Sequence, residues 1–342
     1  MDTTDERPRA GPSAGQALIR ARAEDFRVEE YIEMAQEGQG EHLWLRVRKT
    51  GENTEYVARL LARAAGVDNR AVGFAGRKDR HAVTTQWFSI HLPGKADPAL
   101  DDLPPTVEVL ERLRRPRKLQ VGGLRANRFG IRLRDARLDR DLLAERIAQI
   151  PLDGVPNYFG EQRFGRDAGN LQRANAWFRG ALRVCDRAER GLLISAARSA
   201  LFNAVLAERV RAGNWNRLLP GEAVLLDGSH SFFHVDGVDE LLLARLAAGD
   251  VHPSGPLWGQ GEPPSTGEAG AIERAVAAGA AVFAEGLAEQ GLRHERRSLR
   301  LLPRGLAWRM EEGDPWLSFE LPPGCYATTV LSELLDVEEP AR

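Results

Sequence analysis

The sequence predicts an α+β fold in which strands from both ends of the chain share one sheet, with a helical middle inserted between them. Three observations carry this expectation. Residues from about 17 to 150 read as strands interleaved with helices, the middle holds a long amphipathic helix, and the last forty residues return to strand patterning. At 342 residues the chain exceeds one typical small core, so two domains, or one domain with a large insertion, are expected.

Each element has its own signal. "RAEDFRVEE" (22–30) reads as an edge strand with Phe26 and Val28 inward. In "HLWLRVRK", Leu43, Leu45 and Val47 share one side and Trp44, Arg46 and Arg48 the other, the alternation of a half-buried strand. "NTEYVARLLARAAG" reads as a helix: Asn53 is the N-cap, Val57, Leu60, Leu61 and Ala64 form the stripe, and Gly66 is the stop. After the loop from Gly73 to His81, "QWFSIHL" is a strand with Phe88, Ile90 and Leu92 on one face. "NRFGIRLR" is a further alternating strand, and "RDLLAERIAQI" a helix that ends before Pro151.

The middle of the chain differs. "GVPNYFGEQRFGRDAGNL" reads as a long loop rich in glycine and aromatics, and "ERGLLISAARSALFNAVLAERVRAG" as a long helix ended by Gly213. "VHPSGPLWGQGEPPSTGEAG" is expected to be irregular, whereas "AIERAVAAGAAVFAEGLAEQG" is helical. "SLRLLPRGLAWRME" and "PWLSFELPPG" are strands, and "ATTVLSELL" is a short closing helix. The sequence contains no internal repeat and no low-complexity tract.

Hydrophobic content of 43% with 28% charged residues fits a soluble globular chain. No apolar run approaches the roughly 18–20 residues that span a bilayer, so no membrane partner is expected. The start, "MDTTDERPRAGPSAGQ", lacks the apolar segment of a secretory signal and is expected to be a frayed tail. Cys185 and Cys325 lie far apart without metal spacing, which suits a reduced, cytoplasmic protein. The net charge of −2 argues weakly against nucleic acid, yet residues 112–134 hold nine Arg or Lys and no acid. Charge distribution, rather than the total, decides what a face attracts.

Several chemistries are excluded. Gly73-x-x-Gly76-x-Lys78 lacks the spacing of a phosphate-binding P-loop, and no dinucleotide fingerprint follows a strand. The seven histidines form no metal-binding pattern. Ser195 and Ser199 lie on a helix without a nucleophile elbow. Asp79, set in Arg77-Lys78-Asp79-Arg80-His81, reads either as a turn or cap residue or as an ionised nucleophile or base. In the second reading its cationic neighbours lower its pKa and attract phosphates. Phe129 reads either as a core aromatic or as a stacking face for a base, with Asn127 offering a donor and an acceptor to the base edge. In that reading the nearby cations track a phosphate backbone.

Five ordered stretches resemble the TruD family of tRNA pseudouridine synthases: "FAGRKDRHAVTTQW", "RANRFGIRLR", "GVPNYFGEQRFG" with the following "NL", "SAARSALFN", and "LPPGCYATTVLSELL". The resemblance runs from about Ala17 to Leu335. It implies a pseudouridine synthase catalytic domain with a mixed, mainly antiparallel sheet (17–153 and 302–342), interrupted by an α/β TRUD insertion domain (154–301) and preceded by a flexible tail (1–16). It implies an isomerase that flips a uridine out of the D arm of tRNA, at tRNA position 13, and converts it to pseudouridine without cofactor or metal. Carried over residue by residue, the catalytic aspartate falls on Asp79, the base-stacking aromatic on Phe129, the polar neighbour on Asn127 and the aromatic of the "EDF" motif on Phe26. Arg20, where other members use Lys, becomes the partner of Asp79. Lys78, one of the cations around Asp79 that would attract phosphates, is expected to contact substrate. The implied partner is tRNA; no obligate protein partner is evident in the sequence, which is silent on oligomeric state and leaves a monomer as one option.

Two other classes compete. A noncatalytic tRNA-binding or RNA-folding protein would use the same basic groove without turnover. A hydrolase with an aspartate nucleophile would need a second carboxylate or metal ligands, and neither motif is present. The five ordered motifs favour the isomerase.

Overall fold

The alternation of residues 42–50 translates directly into burial: Leu43, Leu45 and Val47 are fully enclosed. The computed structural model describes residues 7–33 and 38–340. Its first elements are β1 (Gly15–Leu18), β2 (Phe26–Tyr31), β3 (His42–Thr50), α1 (Thr54–Ala64), β4 (Val72–Phe74), β5 (Val83–His91), β6 (Val107–Arg115), β7 (Ala126–Arg132), β8 (Arg134–Leu138) and α2 (Arg140–Asp153). The middle contains β9 (Val155–Pro156), α3 (Gly169–Phe178), α4 (Arg187–Arg211), β10 (Ala223–Leu226), β11 (Phe232–His234), α5 (Glu240–Ala247), β12 (Val251–His252), β13 (Ser254–Leu257), α6 (Gly267–Gly279) and α7 (Ala281–Glu289). The chain closes with β14 (Glu295–Ser298), β15 (Arg300–Leu301), β16 (Arg304–Glu311), β17 (Asp314–Leu321), α8 (Ala327–Leu334) and β18 (Asp336–Glu338). Two compact units result. The sheet unit comprises Ala14–Leu143, Pro303–Gly324 and Leu335–Arg342; the helical unit comprises Met1–Ser13, Ala144–Leu302 and Cys325–Leu334.

In the sheet unit the strands run in the order β16-β17-β7-β2-β5-β3-β6, with β4 added to β5. The only parallel contact along that path is β2 with β5, so the sheet is mixed and mainly antiparallel. Strands from the end of the sequence thus pair with strands from its start, β17 with β7. Helix α1 lies against one face: Val57 and Leu61 join Leu43, Leu45, Val47, Phe88 and Ile90 in one core. Asn53 occupies the N-cap position, but its side chain makes no capping bond. Gly66, at φ +60°, is the left-handed residue that stops the helix. Strand β2 is interior, not an edge, because β5 and β7 flank it on either side. A second, smaller sheet, β18-β1-β8, completes the unit.

The core of the helical unit is built by α3, α4, α6 and α7 around residues such as Leu193, Phe202, Leu206, Phe283 and Leu287. Among the described helices α4 alone is long and apolar enough to cross a membrane, and its buried Leu193, Leu201, Phe202 and Leu206 mark it as a core helix. Helix α2 passes through Pro151 to Asp153: the proline falls in its last turn and forfeits one donor, the N–H that would have reached the carbonyl four residues back, yet Gly154 N–H still closes onto Ile150 O at 2.7 Å. The stretch expected to be a single loop, 154–171, instead holds β9, two short 3-10 turns and the start of α3. Likewise 251–257, expected to be irregular, supplies β12 and β13, whose partners β10 and β14 lie far off in sequence.

The expected frayed tail is held over its described part. Ala10 and Gly11 donate their N–H groups to Glu333 at 3.2 and 3.0 Å, and Pro8 O accepts from the Tyr158 hydroxyl at 3.3 Å. Glu333 also receives Arg146 at 2.5 Å, and both side chains are almost enclosed. The carboxylate therefore serves two amides and a buried cation together, which is why α8 packs with the helical unit. Glu333→Ala should lower unfolding free energy by about 3–5 kcal/mol, because it leaves the Arg146 charge buried without a partner. Urea unfolding measures this, and a loss below about 1 kcal/mol would contradict that role.

Candidate active site

The site is assembled on the face of the large sheet that also carries α1. Cross-strand partners share a face, so the register lines up Phe26 with Ile131, Val28 with Phe129, Glu30 with Asn127, and Phe129 with Phe319. Further along, Val28 is paired with Thr84, and Thr84 with Lys49. Helix α1 covers the apolar part of this face around Leu43, Leu45 and Val47. The remaining part is polar and aromatic.

Asp79 lies in the loop between β4 and β5. Gly73 lets the loop start there: a side chain would come within 2.6 Å of Leu119 O and 2.8 Å of Ser89 Oγ. The loop is then fastened from behind. Thr54 Oγ1 donates to Gln86 Oε1 at 2.9 Å, Gln86 Nε2 to Gly76 O at 3.1 Å, and Lys78 N–H to Thr54 Oγ1 at 3.0 Å. Lys49, fully buried, donates to Glu52 O at 2.7 Å and to Asp79 O at 3.2 Å. The Asp79 carboxylate remains 48% exposed while its backbone is tied down.

The cation on that carboxylate is Arg20. Its Nη2 donates to Asp79 Oδ2 at 2.7 Å, its Nη1 to Glu339, and its guanidinium lies 4.0 Å from the Phe26 ring centre. Arg20 follows β1 at φ +56°, a left-handed conformation uncommon for a residue with a side chain. The neighbours expected to act on Asp79 are engaged elsewhere: Arg77 pairs with Glu55, and Arg80 Nε reaches Gly51 O at 3.3 Å. Lys78, expected to contact substrate, instead places its ammonium 2.7 Å from Glu30 Oε2, with both side chains nearly or fully enclosed. Glu30 Oε1 accepts in turn from Trp87 N–H at 3.2 Å. A buried carboxylate requires such a partner, and Lys78 satisfies that need.

Phe129 is half-buried. It stacks on Phe319 with ring centres 5.4 Å apart and meets the edge of Phe26 at 6.2 Å. Asn127, two residues earlier on the same face, has a buried Oδ1 with no hydrogen-bond partner. The acid of the "EDF" motif is structural. Burial alone would raise the Asp25 pKa, but the two-pronged Arg134 contact at 2.7 and 2.8 Å and the Arg22 N–H hold it below its ordinary value.

The basic run does not form a uniform cationic track. Arg114 pairs with Asp97, Arg125 with Glu33, Arg128 with Glu320, Arg132 with Asp314 and Arg134 with Asp25. Neighbouring strands and loops supply acids that the linear sequence keeps far away. Among the described residues no group of three or more His, Cys, Asp or Glu side chains is gathered as a metal site would require. Sequence reasoning missed Lys49, Glu30 and Glu339. The first two had a signal, since Lys49 continues the inward register Leu43-Leu45-Val47 and Glu30 that of Phe26-Val28.

Comparison with known proteins places this chain in a family. A crystal structure assigned as tRNA pseudouridine synthase D (TruD) from Methanosarcina mazei superposes with a TM-score of 0.76, covering 96% of this chain and 95% of that one at 23% identity, which establishes the fold. The tRNA pseudouridine synthase D of Nitrosococcus oceani is 49% identical over 334 residues, covering 96% of this chain and 93% of the relative. That of Pseudomonas aeruginosa is 50% identical over 335 residues, covering 96% and 94%. The family profile described as tRNA pseudouridine synthase D (TruD) matches residues 12–174 and 168–334. The chain belongs to the TruD family of tRNA pseudouridine synthases, isomerases that act on tRNA.

Lys49 gives the site a measurable pH signature. Burial pushes its pKa from 10.5 down to about 8, against the opposing pull of Asp79 and with the push of Lys78. Between those two values the unfolded chain binds the proton and the folded chain does not, so this contribution to stability rises with pH. Relative to Lys49→Met, the wild type should gain up to about 3 kcal/mol between pH 7 and 10.5. Denaturant unfolding of both proteins across that range checks it, and a difference independent of pH would contradict a buried titrating Lys49.

Proposed function

We propose that this chain converts a uridine in the D arm of tRNA, at tRNA position 13, to pseudouridine, with Asp79 as nucleophile acting on a base flipped out of the helix. The observation that carries the reading is the Arg20–Asp79 pair, 2.7 Å long, on the sheet face that also presents Phe129 and the unpartnered Asn127 Oδ1. A uridine within folded tRNA has to leave its stack first, at a cost of a few kcal/mol. Stacking on Phe129 contributes roughly 1–3 kcal/mol toward that cost. Asn127 Oδ1 accepts a hydrogen bond from the uracil edge, which fills an acceptor that is otherwise buried and unused.

The Asp79 carboxylate then adds to the uridine, at the sugar C1′ or the base C6, and the C1′–N1 bond breaks. The detached uracil, which keeps the electron pair of the broken bond, turns within the pocket and C5 bonds to C1′; the bond to Asp79 breaks to return the free carboxylate, C5 gives up its proton and N1 gains one. Elimination of the C2′ proton is a further course by which the carboxylate could act as a base. The bond from Arg20 Nη2 aims the Asp79 carboxylate, and the guanidinium charge offsets its repulsion from approaching RNA phosphates. The sheet unit serves as the catalytic domain, and the helical unit, which takes in 144–153 and 325–334 besides the expected insertion 154–301, grips the tRNA. The setting is the cytoplasm.

Asp79→Asn should abolish pseudouridine formation and leave tRNA binding largely intact, since the amide matches the carboxylate in size but is a very poor nucleophile. Single-turnover conversion of a tRNA transcript beside a filter-binding titration decides this; near-normal conversion would remove Asp79 from the chemistry. Phe129→Ala should slow the same reaction by about 5–150-fold, the rate equivalent of losing one stacked base, with the protein still folded by circular dichroism. If that variant unfolds and shows no separate catalytic defect, Phe129 is a core residue only.

A further inference from the structure

The segment "NYFGEQRFG", Asn157–Gly165, takes no part in this chemistry, yet it collects unusual charges within the helical unit. Arg163 and Arg297 place their guanidinium carbons 5.1 and 4.2 Å from one ring centre, that of Phe159. Arg297 also lies 5.7 Å from the Phe202 ring centre and donates to Asn157 Oδ1 at 2.7 Å. The Nε of each arginine is buried and without a hydrogen-bond partner. Burial pushes the Arg297 pKa below its ordinary value; Cys325 and Tyr326 oppose this, while the charge of Arg163 adds to it.

Elsewhere in the unit buried guanidiniums are compensated. Arg146 has Glu333, Arg209 has Glu222 and Arg296 has Glu273. Arg300 is met by His252 Nδ1 and by the carbonyls of Leu246 and Val251. Arg163 and Arg297 have no such carboxylate among the described residues, and they face a shared ring. Two like charges in a poorly solvated place repel, and leaving them unpaired is costly. An anion set between them would reverse the sign of that interaction. Guanidinium forks match the oxygens of a phosphate, and a ring packed against each fork limits its freedom before the anion arrives. Both residues are half-buried, so part of each remains open to solvent.

We propose that Arg163 and Arg297 form a phosphate subsite in the helical unit that takes a backbone phosphate of the RNA substrate. This rests on the tRNA reading above for the source of the phosphate, and on the charge geometry for the site itself. A free phosphate ion has the same chemistry, so the test has two arms. In the first, binding of a tRNA transcript is titrated across salt concentrations with wild type, Arg163→Gln and Arg163→Lys. Arg163→Gln should flatten the log–log salt slope by about 0.7–0.9, the share of one phosphate contact, and Arg163→Lys should retain the slope. In the second, thermal unfolding is followed with and without inorganic phosphate.

If the RNA slope is unchanged but inorganic phosphate stabilises wild type and not Arg163→Gln, the RNA assignment is overturned and the site takes the free ion. If neither slope nor phosphate response differs, there is no subsite. Should Arg163→Gln unfold, Arg163→Lys decides: it keeps the charge but loses the fork, so Kd should rise about threefold, and an unchanged Kd overturns the proposal. Binding is read without turnover. A wild type that binds tRNA but makes no pseudouridine would therefore sink the isomerase reading while leaving this test intact.

Discussion

The Arg20 guanidinium, its side chain only 6% exposed, meets the Asp79 carboxylate, the Glu339 carboxylate and the face of Phe26 in one place. Three separate parts of the sheet unit have to be correct for that to happen. The small sheet β18-β1-β8 sets residue 20 and brings the C-terminal Glu339 beside it. Pairing of β2 with β7 sets Phe26, and the β4–β5 loop sets Asp79. One cation thus serves two acids, of which Glu339 comes from the far end of the chain. A guanidinium suits this role because it is permanently charged and can offer separate donors to separate oxygens.

The sheet face around this cluster divides its duties. Where α1 covers it, the residues are apolar and enclosed. Where α1 stops, the same strands carry Lys49, Thr84, Gln86, Glu30 and Asn127, and the aromatics Phe129 and Phe319. Most of these polar groups hold the Asp79 loop from behind. Polar groups buried in this way are tolerated only when paired, and the pairing immobilises the loop. Two exceptions, Thr84 Oγ1 and Asn127 Oδ1, have no partner. Asn127 lies beside Phe129, where a base would stack.

The strands were legible because their alternation is long. Leu43-Leu45-Val47 and Phe88-Ile90-Leu92 each declare an inward face that burial then matches. Strand β2 reads as an edge in the sequence because six residues carry no information about neighbours on both sides, and its parallel partner β5 is separated from it by β3, α1 and β4. Segments 154–171 and 251–257 defeated local patterning because glycine and proline mask short strands whose pairing is long-range. At the site, Asp79, Asn127 and Phe129 stood out by motif. The partners of the basic run did not, since charge along a sequence says nothing of the acids folded against it. Lys78 shows the same limit: beside Asp79 in sequence, it turns to Glu30 in space.

The central claim is that Arg20 holds the Asp79 carboxylate in place for attack on uridine. Single-turnover conversion of a tRNA transcript by Arg20→Met, alongside its tRNA Kd, tests it most directly. The account predicts a rate reduced by about a hundredfold or more, as expected when a nucleophile is displaced by ~1 Å, with Kd changed by less than about threefold. An Arg20→Met enzyme that forms pseudouridine at the wild-type rate would contradict it.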